Sequence, residues 1–142
     1  GRTFCGLVID GPLEILGSTV FGCGGRDLGY HRDGAHSQFM AVPESAVVEK
    51  PENVSVPSAA VLGVPYVTAW LALHEKASAR TGEVVVVFGA GSLVGRATLQ
   101  LGRWLGARCI AIVEDAVDKS AVSEFCDQVF VLVEDPAPAR AT

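Results

Sequence analysis

A glycine-containing segment at residues 89–95 has the residue types and the spacing that bind phosphate. Its letters are Gly89-Ala90-Gly91-Ser92-Leu93-Val94-Gly95. Where a strand turns directly into a helix through closely spaced glycines, backbone N–H groups and the positive end of the helix dipole face the loop. The segment therefore predicts an anion site for a dinucleotide pyrophosphate. A tight strand-to-helix turn without a ligand is the alternative.

The spacing predicts a role for each glycine and also for an acidic residue that follows the loop. In the usual G-x-G-x-x-G pattern the first glycine makes the turn, the second lets the backbone approach the phosphates, and the third packs the helix on the strand. Here one extra residue separates the second and third glycines. Glu114 follows Gly95 by nineteen residues, where a carboxylate accepts from ribose hydroxyls. A solvated acid after a strand is the alternative for Glu114.

Strands and helices alternate around this loop. A continuous β-branched run precedes it, apolar residues at helical spacing follow it, and shorter apolar runs come next. The predicted elements are a strand at Glu83–Phe88, a helix from Leu93 that stops at Gly106, a strand at Arg108–Val113, a helix over Val117–Phe125 and a strand at Val129–Val133. This order predicts a right-handed parallel β-α-β-α-β unit.

The first half of the chain has a different pattern. Short β-type runs separated by turn residues predict mostly antiparallel structure. These runs are Phe4–Ile9, Thr19–Phe21, Ser37–Val42 and Ala46–Val48. Apolar spacing predicts a helix over Val64–Lys76, and Pro57 and Pro65 each stand where a helix could begin.

Composition limits the partners. The 142 residues are 49% hydrophobic and 19% charged, with a net charge of −5, which suits one soluble domain or pieces of two. Eleven basic residues scattered among sixteen acids argue against nucleic acid or an anionic membrane as a binding partner.

The longest aliphatic run, Val84–Val87, is far shorter than the roughly 20 residues that a membrane span needs. Four scattered cysteines favour reduced thiols in a cytoplasmic protein.

Motifs spread along nearly the whole chain resemble one family in its own order. They are Gly34–Pro43, Lys50–Ser55, Ala59-Ala60 through Pro65, Thr68-Ala69-Trp70 with Leu73, Gly82–Gly95, and Gln100-Leu101 with Leu105-Gly106-Ala107. Together they resemble the medium-chain dehydrogenase/reductases, specifically the zinc-free quinone oxidoreductase and enoyl reductase branch. The chain departs from the family pattern at Gly91, where the family usually has Ser, and at Leu93, where it usually has Gly.

The resemblance implies an α/β fold in which a partial Rossmann β-α-β-α-β unit follows part of a GroES-like β-rich domain. Residues 1–56 would belong to the substrate domain, residues 57–80 would form connecting helices, and residues 81–142 would be the N-terminal half of the dinucleotide-binding domain. On this interpretation the chain is a fragment, and it is expected in a homo-oligomer or in a larger parent chain.

The implied function is an oxidoreductase that transfers hydride from NAD(H) or NADP(H) to a small enoyl or quinone-type substrate. A catalytically silent fragment that acts as a binding or structural remnant is the alternative. The resemblance places Thr68 close to the nicotinamide, although a Thr on an apolar helix is as often a back-bonded core residue. Tyr30 and Tyr66 could donate protons, but neither lies in a catalytic motif, so no catalytic residue is assigned.

Metal binding is not expected. In zinc-dependent relatives a His ligand and its neighbouring Glu stand at the places that Arg2 and Thr3 occupy here, and Arg does not ligate metal. His31 and His36 near Asp33 could suggest a metal site, and a polar surface loop is the favoured interpretation.

Two residues bear on the choice of cofactor. Glu114 suits the free 2′-hydroxyl of NAD(H) and repels the 2′-phosphate of NADP(H). Lys119 stands where many NADPH-using relatives place a basic group, but a flexible Lys can pair with Glu114 or Asp118 instead. NAD(H) is therefore favoured, with NADP(H) as the alternative.

Overall fold

The computed structural model describes residues 1–24 and 27–132. The chain forms two compact units, Gly1–Val67 and a second unit that begins at Thr68. Val133, the last residue of the strand predicted at Val129–Val133, lies outside the described residues.

The first unit contains a three-stranded antiparallel sheet. Its strands are β1 (Thr3–Leu7), β2 (Thr19–Cys23) and β3 (Val47–Glu49), in the order β1-β2-β3. Phe4 of β1 pairs with Gly22 of β2, and Phe4 and Val20 are buried. The antiparallel structure predicted for the first half of the chain is therefore confirmed, with strand bounds that differ by one to two residues from those expected.

The prediction of a strand at Ser37–Val42 is wrong. The segment has no regular secondary structure, and the described sheet contains only β1, β2 and β3. The Ser37 hydroxyl donates to the backbone carbonyl of Phe39 at 2.8 Å. Ser and Thr hydroxyls that bond nearby backbone compete with a strand ladder, and Pro43 ends the run without an N–H to donate.

The helix predicted over Val64–Lys76 starts earlier than expected. Helix α1 spans Val56–Trp70, and a π-helical segment, Leu71–Lys76, continues it. The Ser55 hydroxyl accepts from the Ser58 N–H at 3.3 Å, and Pro57 lies in the first turn as predicted. The prediction that a helix begins at Pro65 is wrong, because Pro65 lies inside α1. There it removes one backbone N–H donor from the helix.

This long helix also bears on the expectation that no membrane segment is present. The 21 residues of Val56–Lys76 are long and apolar enough, with a hydropathy of 1.6, to cross a membrane by length and composition alone. The helix contains no long aliphatic run, because Ser, Gly and Pro residues interrupt its apolar sequence. A mostly buried core helix of a soluble protein passes the same test; here Ala59 and Ala69 are fully buried, and 28% of the apolar window is buried.

The second unit contains the predicted parallel β-α-β-α-β unit. Its strands are β4 (Val84–Phe88), β5 (Arg108–Val113) and β6 (Gln128–Val131), joined by α2 (Leu93–Trp104) and α3 (Ala116–Val122). The strand order is β4-β5-β6, and both pairings are parallel. Helix α3 is shorter than expected because Ser123–Phe125 tightens into a 3₁₀ turn. Gly106 has φ +79° and ends α2, as predicted.

A cluster of apolar residues lies between this sheet and its helices. Leu99 of α2, Val122 of α3, and Cys109 and Val113 of β5 are at most 1% exposed. Asp127 fixes β5 from outside the cluster, because its carboxylate accepts from the Cys109 N–H at 2.7 Å. Burial raises the pKa of the Cys109 thiol above its ordinary value, and the nearby Asp127 carboxylate raises it further.

The opposite face of the same sheet is apolar and exposed. Val84, Val86 and Phe88 alternate along β4 with exposures of 53%, 49% and 72%, and Phe130 of β6 is 55% exposed. The register pairs Phe88 with Ile112 and Ile112 with Phe130, so these three residues form one row across the sheet. Contiguous apolar surface of this kind favours association.

We therefore expect the 142-residue chain to self-associate through this exposed face. Light scattering after size exclusion should give an apparent mass that rises with protein concentration. The double variant Val86→Lys, Phe130→Lys should have a lower apparent mass, because burying a lysine charge in the contact is unfavourable. Leu13→Lys, at an exposed position of the first unit, is the control. A wild-type chain that stays monomeric at every concentration would contradict the expectation.

The Cys109 thiol gives a second prediction. Iodoacetamide reacts with thiolate, so Cys109, whose pKa is raised by burial, should be modified more slowly in the folded chain than in urea. Because the pKa is raised on folding, the protection should be greatest below the ordinary thiol pKa and should shrink as the pH rises above it. Mass spectrometry of the Cys109 peptide measures the two rates. Equal rates in folded and unfolded chain would refute burial of this residue.

Candidate functional site

The first and third glycines of the loop at residues 89–95 have the roles that their spacing predicts. Gly89 has φ +65°, a conformation that residues with a side chain rarely adopt. Gly95 is buried in the first turn of α2, and a Cβ there would lie 2.5 Å from the Gly89 carbonyl oxygen and 2.7 Å from the Ala90 Cα. Gly89 therefore makes the turn, and Gly95 allows α2 to approach the loop.

Ser92 closes the loop as the N-cap of α2. Its hydroxyl accepts from the Gly95 N–H at 3.1 Å and donates to the Gly89 carbonyl at 2.8 Å. The Ser92 N–H also donates to the Gly89 carbonyl, at 3.0 Å. Two N–H groups at the start of the helix are thus bound within the chain.

The remaining N–H groups limit what the loop can offer to an anion. Ala90 is fully buried, and its N–H donates to the Ile112 carbonyl at 3.1 Å. The N–H groups of Leu93 and Val94, in the first turn of α2, have no partner within a helix. Leu93 is 65% exposed and Val94 36% exposed, so these two residues border the open side of the loop. The N–H groups of Leu93 and Val94 are therefore donors that the first turn of α2 leaves for an anion.

Glu114 lies at the same edge of the sheet as the loop. Strands β4 and β5 run parallel with Phe88 opposite Ile112, so the segments that follow them leave the sheet side by side. Glu114 follows β5 directly and is exposed, whereas the next acid, Asp115, caps α3 by accepting from the Asp118 N–H at 2.8 Å. Lys119 is exposed in the first turns of α3.

A charged pair that the sequence did not single out lies against the second glycine. The Arg96 Nε donates to the Gly91 carbonyl at 2.9 Å, and its Nη2 lies 3.6 Å from the Asp118 Oδ1. A Cβ on Gly91 would overlap the Asp118 carboxylate. Asp118, one possible partner for Lys119, is therefore paired with Arg96. In the sequence, only the spacing of Asp115 and Asp118 at the start of a helix pointed to a role for Asp118.

The other singled-out residues lie on separate elements. Thr68 is exposed on α1, and no side-chain hydrogen bond among the described residues joins it to the loop. Arg2 lies over the Tyr30 ring at 4.7 Å from its centroid. Within residues 1–24 and 27–132, no three or more His, Cys, Asp or Glu side chains come together as a metal site.

Two curated relatives resemble the chain over most of its length. It is 38% identical over 112 residues to a zinc-type alcohol dehydrogenase-like protein of Schizosaccharomyces pombe, a match that covers 79% of this chain and 34% of that protein. It is 33% identical over 120 residues to the quinone oxidoreductase of Mus musculus, with coverages of 82% and 36%. No protein-family model matches the chain.

A solved mycobacterial structure, determined in complex with NADPH, has the same fold. It superposes with a TM-score of 0.81 at 27% identity and covers 95% of this chain and 41% of its own. The chain belongs to the medium-chain dehydrogenase/reductase family. It spans about a third of the length of the curated relatives that it matches.

Family membership confirms the predicted fold class. The parallel sheet with α2 and α3 corresponds to the Rossmann part of this medium-chain dehydrogenase/reductase chain, and the antiparallel sheet of β1, β2 and β3 corresponds to its GroES-like part. The glycine loop therefore lies at the strand-to-helix turn where this fold binds pyrophosphate.

The two structural glycines give a prediction for stability. Gly95→Ala should destabilise the second unit by about 2 kcal/mol, because the new Cβ meets backbone that must shift. Gly89→Ala should cost about 1 kcal/mol, since nothing surrounds its Cβ and only the positive φ is strained. Urea unfolding followed by the fluorescence of Trp70 and Trp104 measures both. A Gly95→Ala variant as stable as wild type would contradict the close approach.

Proposed function

We propose that the chain supplies the phosphate-binding half of the cofactor site in an NAD(P)H-dependent oxidoreductase. The observation that carries this proposal is the loop at residues 89–95, in which Gly89 turns the chain, Gly95 admits the helix and Ser92 caps it. The N–H groups of Leu93 and Val94 would hold the pyrophosphate, together with the positive end of the α2 dipole.

The reaction we propose is hydride transfer to a small enoyl or quinone-type substrate. The nicotinamide supplies the hydride when the cofactor is bound. Support comes from the mouse relative, which is named a quinone oxidoreductase, and from the mycobacterial neighbour, which was solved with NADPH. Thr68 is proposed as the residue nearest the nicotinamide. No catalytic residue is assigned.

The proposed organisation follows the same family. Residues 1–56 would contribute to the substrate domain, residues 57–80 would connect, and residues 81–142 would hold the cofactor. A metal ion is not part of the proposal, since Arg2 stacks on Tyr30 at the position of the zinc ligand in zinc-dependent relatives. A homo-oligomer or a larger parent chain, in the cytoplasm, is the setting we propose.

Glu114 decides the cofactor in this proposal. Its carboxylate is exposed at the end of β5, beside the loop, where it can accept from both ribose hydroxyls of NAD(H). A 2′-phosphate at the same place would meet a like charge. Lys119 is exposed on α3 and is the group that would favour NADP(H). We propose NAD(H) as the preferred cofactor, with NADP(H) as the alternative.

Calorimetric titration with NADH and NADPH tests this choice. The wild-type chain should bind NADH about fivefold more tightly, and Glu114→Ala should abolish that preference, since the repulsion is worth about 1 kcal/mol at partly screened range. Glu124→Ala, which removes an acid of the 3₁₀ turn after α3, is the matched control. Tighter binding of NADPH, with a ratio that Glu114→Ala leaves unchanged, would refute the role of Glu114.

Turnover separates the two candidate functions. An active reductase should oxidise NADH when a quinone or an enoyl thioester is added, at a rate that depends on both. A catalytically silent binding chain should bind the dinucleotide and show no such oxidation. Failure to bind either dinucleotide would refute the proposal as a whole.

A further inference from the structure

The space beside the second glycine of the loop is filled by an acid of the same chain. Gly91 lacks a side chain at the point where the fold lets phosphate approach the backbone. The Asp118 carboxylate lies there, so close that a Cβ on Gly91 would overlap both its carbon and its oxygens. An internal anion thus stands where the proposed ligand would place its own.

Arg96 holds this carboxylate in place. Its Nε is bound to the Gly91 carbonyl at 2.9 Å, which fixes the guanidinium beside the loop. Its Nη2 contacts the Asp118 Oδ1 at 3.6 Å. The Arg96 guanidinium is therefore held to the Gly91 carbonyl through Nε, and its Nη2 forms the ion pair with Asp118. A fork of this kind suits carboxylate and phosphate equally.

The ion pair is weak enough to exchange. Its two side chains are 39% and 35% exposed, and the Nη2 and Oδ1 atoms lie 3.6 Å apart, beyond the distance of a short charged hydrogen bond. Exposed pairs of this kind contribute little to stability. The backbone of Asp118 is held separately, because its N–H donates to the Asp115 carboxylate at 2.8 Å. The Asp118 side chain can therefore rotate away without unfolding the start of α3.

We propose that Arg96 and Asp118 form a displaceable clasp over the phosphate loop, in which the dinucleotide phosphate replaces the Asp118 carboxylate and takes over the Arg96 guanidinium. This inference rests on the proposed function. The clasp gives the loop an internal counter-charge near the N-terminus of α2, where a negative group is favoured. It also makes Arg96 a binding residue for the phosphate and Asp118 a competitor for the same guanidinium.

The clasp and a purely structural strut between α2 and α3 predict opposite effects of the same substitutions. A strut that is cut should lower both stability and affinity, whichever partner is removed. In a clasp, removal of Asp118 frees the site and removal of Arg96 impairs it. The sign of the change in affinity at position 118 therefore distinguishes the two.

Titration of the full 142-residue chain with NADH, NADPH and inorganic pyrophosphate tests the clasp. Asp118→Asn should raise the affinity for all three about three- to fivefold, and Arg96→Gln should lower it by a similar factor, the range that an exposed ion pair supports. Arg96→Gln should also flatten the dependence of affinity on salt, since one cation no longer meets the phosphate. Arg96→Lys should restore part of that dependence.

Glu124→Gln is the matched control, because it removes the same charge away from the loop and should change none of these values. Thermal unfolding of each variant separates lost stability from lost affinity. If the wild-type chain binds a dinucleotide and Asp118→Asn leaves the affinity unchanged or lowers it, the clasp is refuted while the proposed function stands. If no variant binds either dinucleotide or pyrophosphate, both are refuted.

Discussion

The close approach of α2 to the end of β4 is the constraint on which the second unit depends. Gly95 lies against the Gly89 carbonyl with no room for a Cβ, and the same carbonyl accepts from the hydroxyl and the N–H of Ser92. This contact sets where α2 begins and brings Leu99 onto the sheet, where it is fully buried. The positive end of the helix dipole consequently faces the carboxyl end of β4, so one short loop sets both the packed core and the place where we propose that an anion binds.

Some backbone N–H groups of this loop are bound within the chain, and others are left for the proposed ligand. Ala90, Ser92 and Gly95 use their N–H groups internally, so hydrogen bonds within the chain hold the loop in shape without a ligand. Pre-organisation of this kind lowers the entropy that binding must overcome. It also concentrates the unpartnered positive potential in the first turn of α2, beside the Asp118 carboxylate. The proposed competition between the Asp118 carboxylate and a ligand phosphate concerns this one region of positive potential.

Local pattern predicted the second unit well and the first unit less well. Strand β5 and the stop at Gly106 follow from hydrophobic runs and glycine chemistry that depend on neighbouring residues alone. The strand at Ser37–Val42 failed because a β-type run needs a partner strand, which local sequence does not reveal. The pair of Arg96 and Asp118 was missed for a related reason, since 22 residues separate them and only the parallel crossover brings α2 and α3 together.

The exposed sheet face and the candidate site meet at Phe88. This residue is 72% exposed, ends β4 and immediately precedes Gly89, and it heads the row that runs through Ile112 to Phe130. Any surface that covers this row also borders the carboxyl edge, where Glu114 stands. Covering the apolar face would exclude water from one side of the site and so strengthen its charge interactions. Phe88 therefore belongs both to the exposed apolar row and to the strand end that leads into the glycine loop.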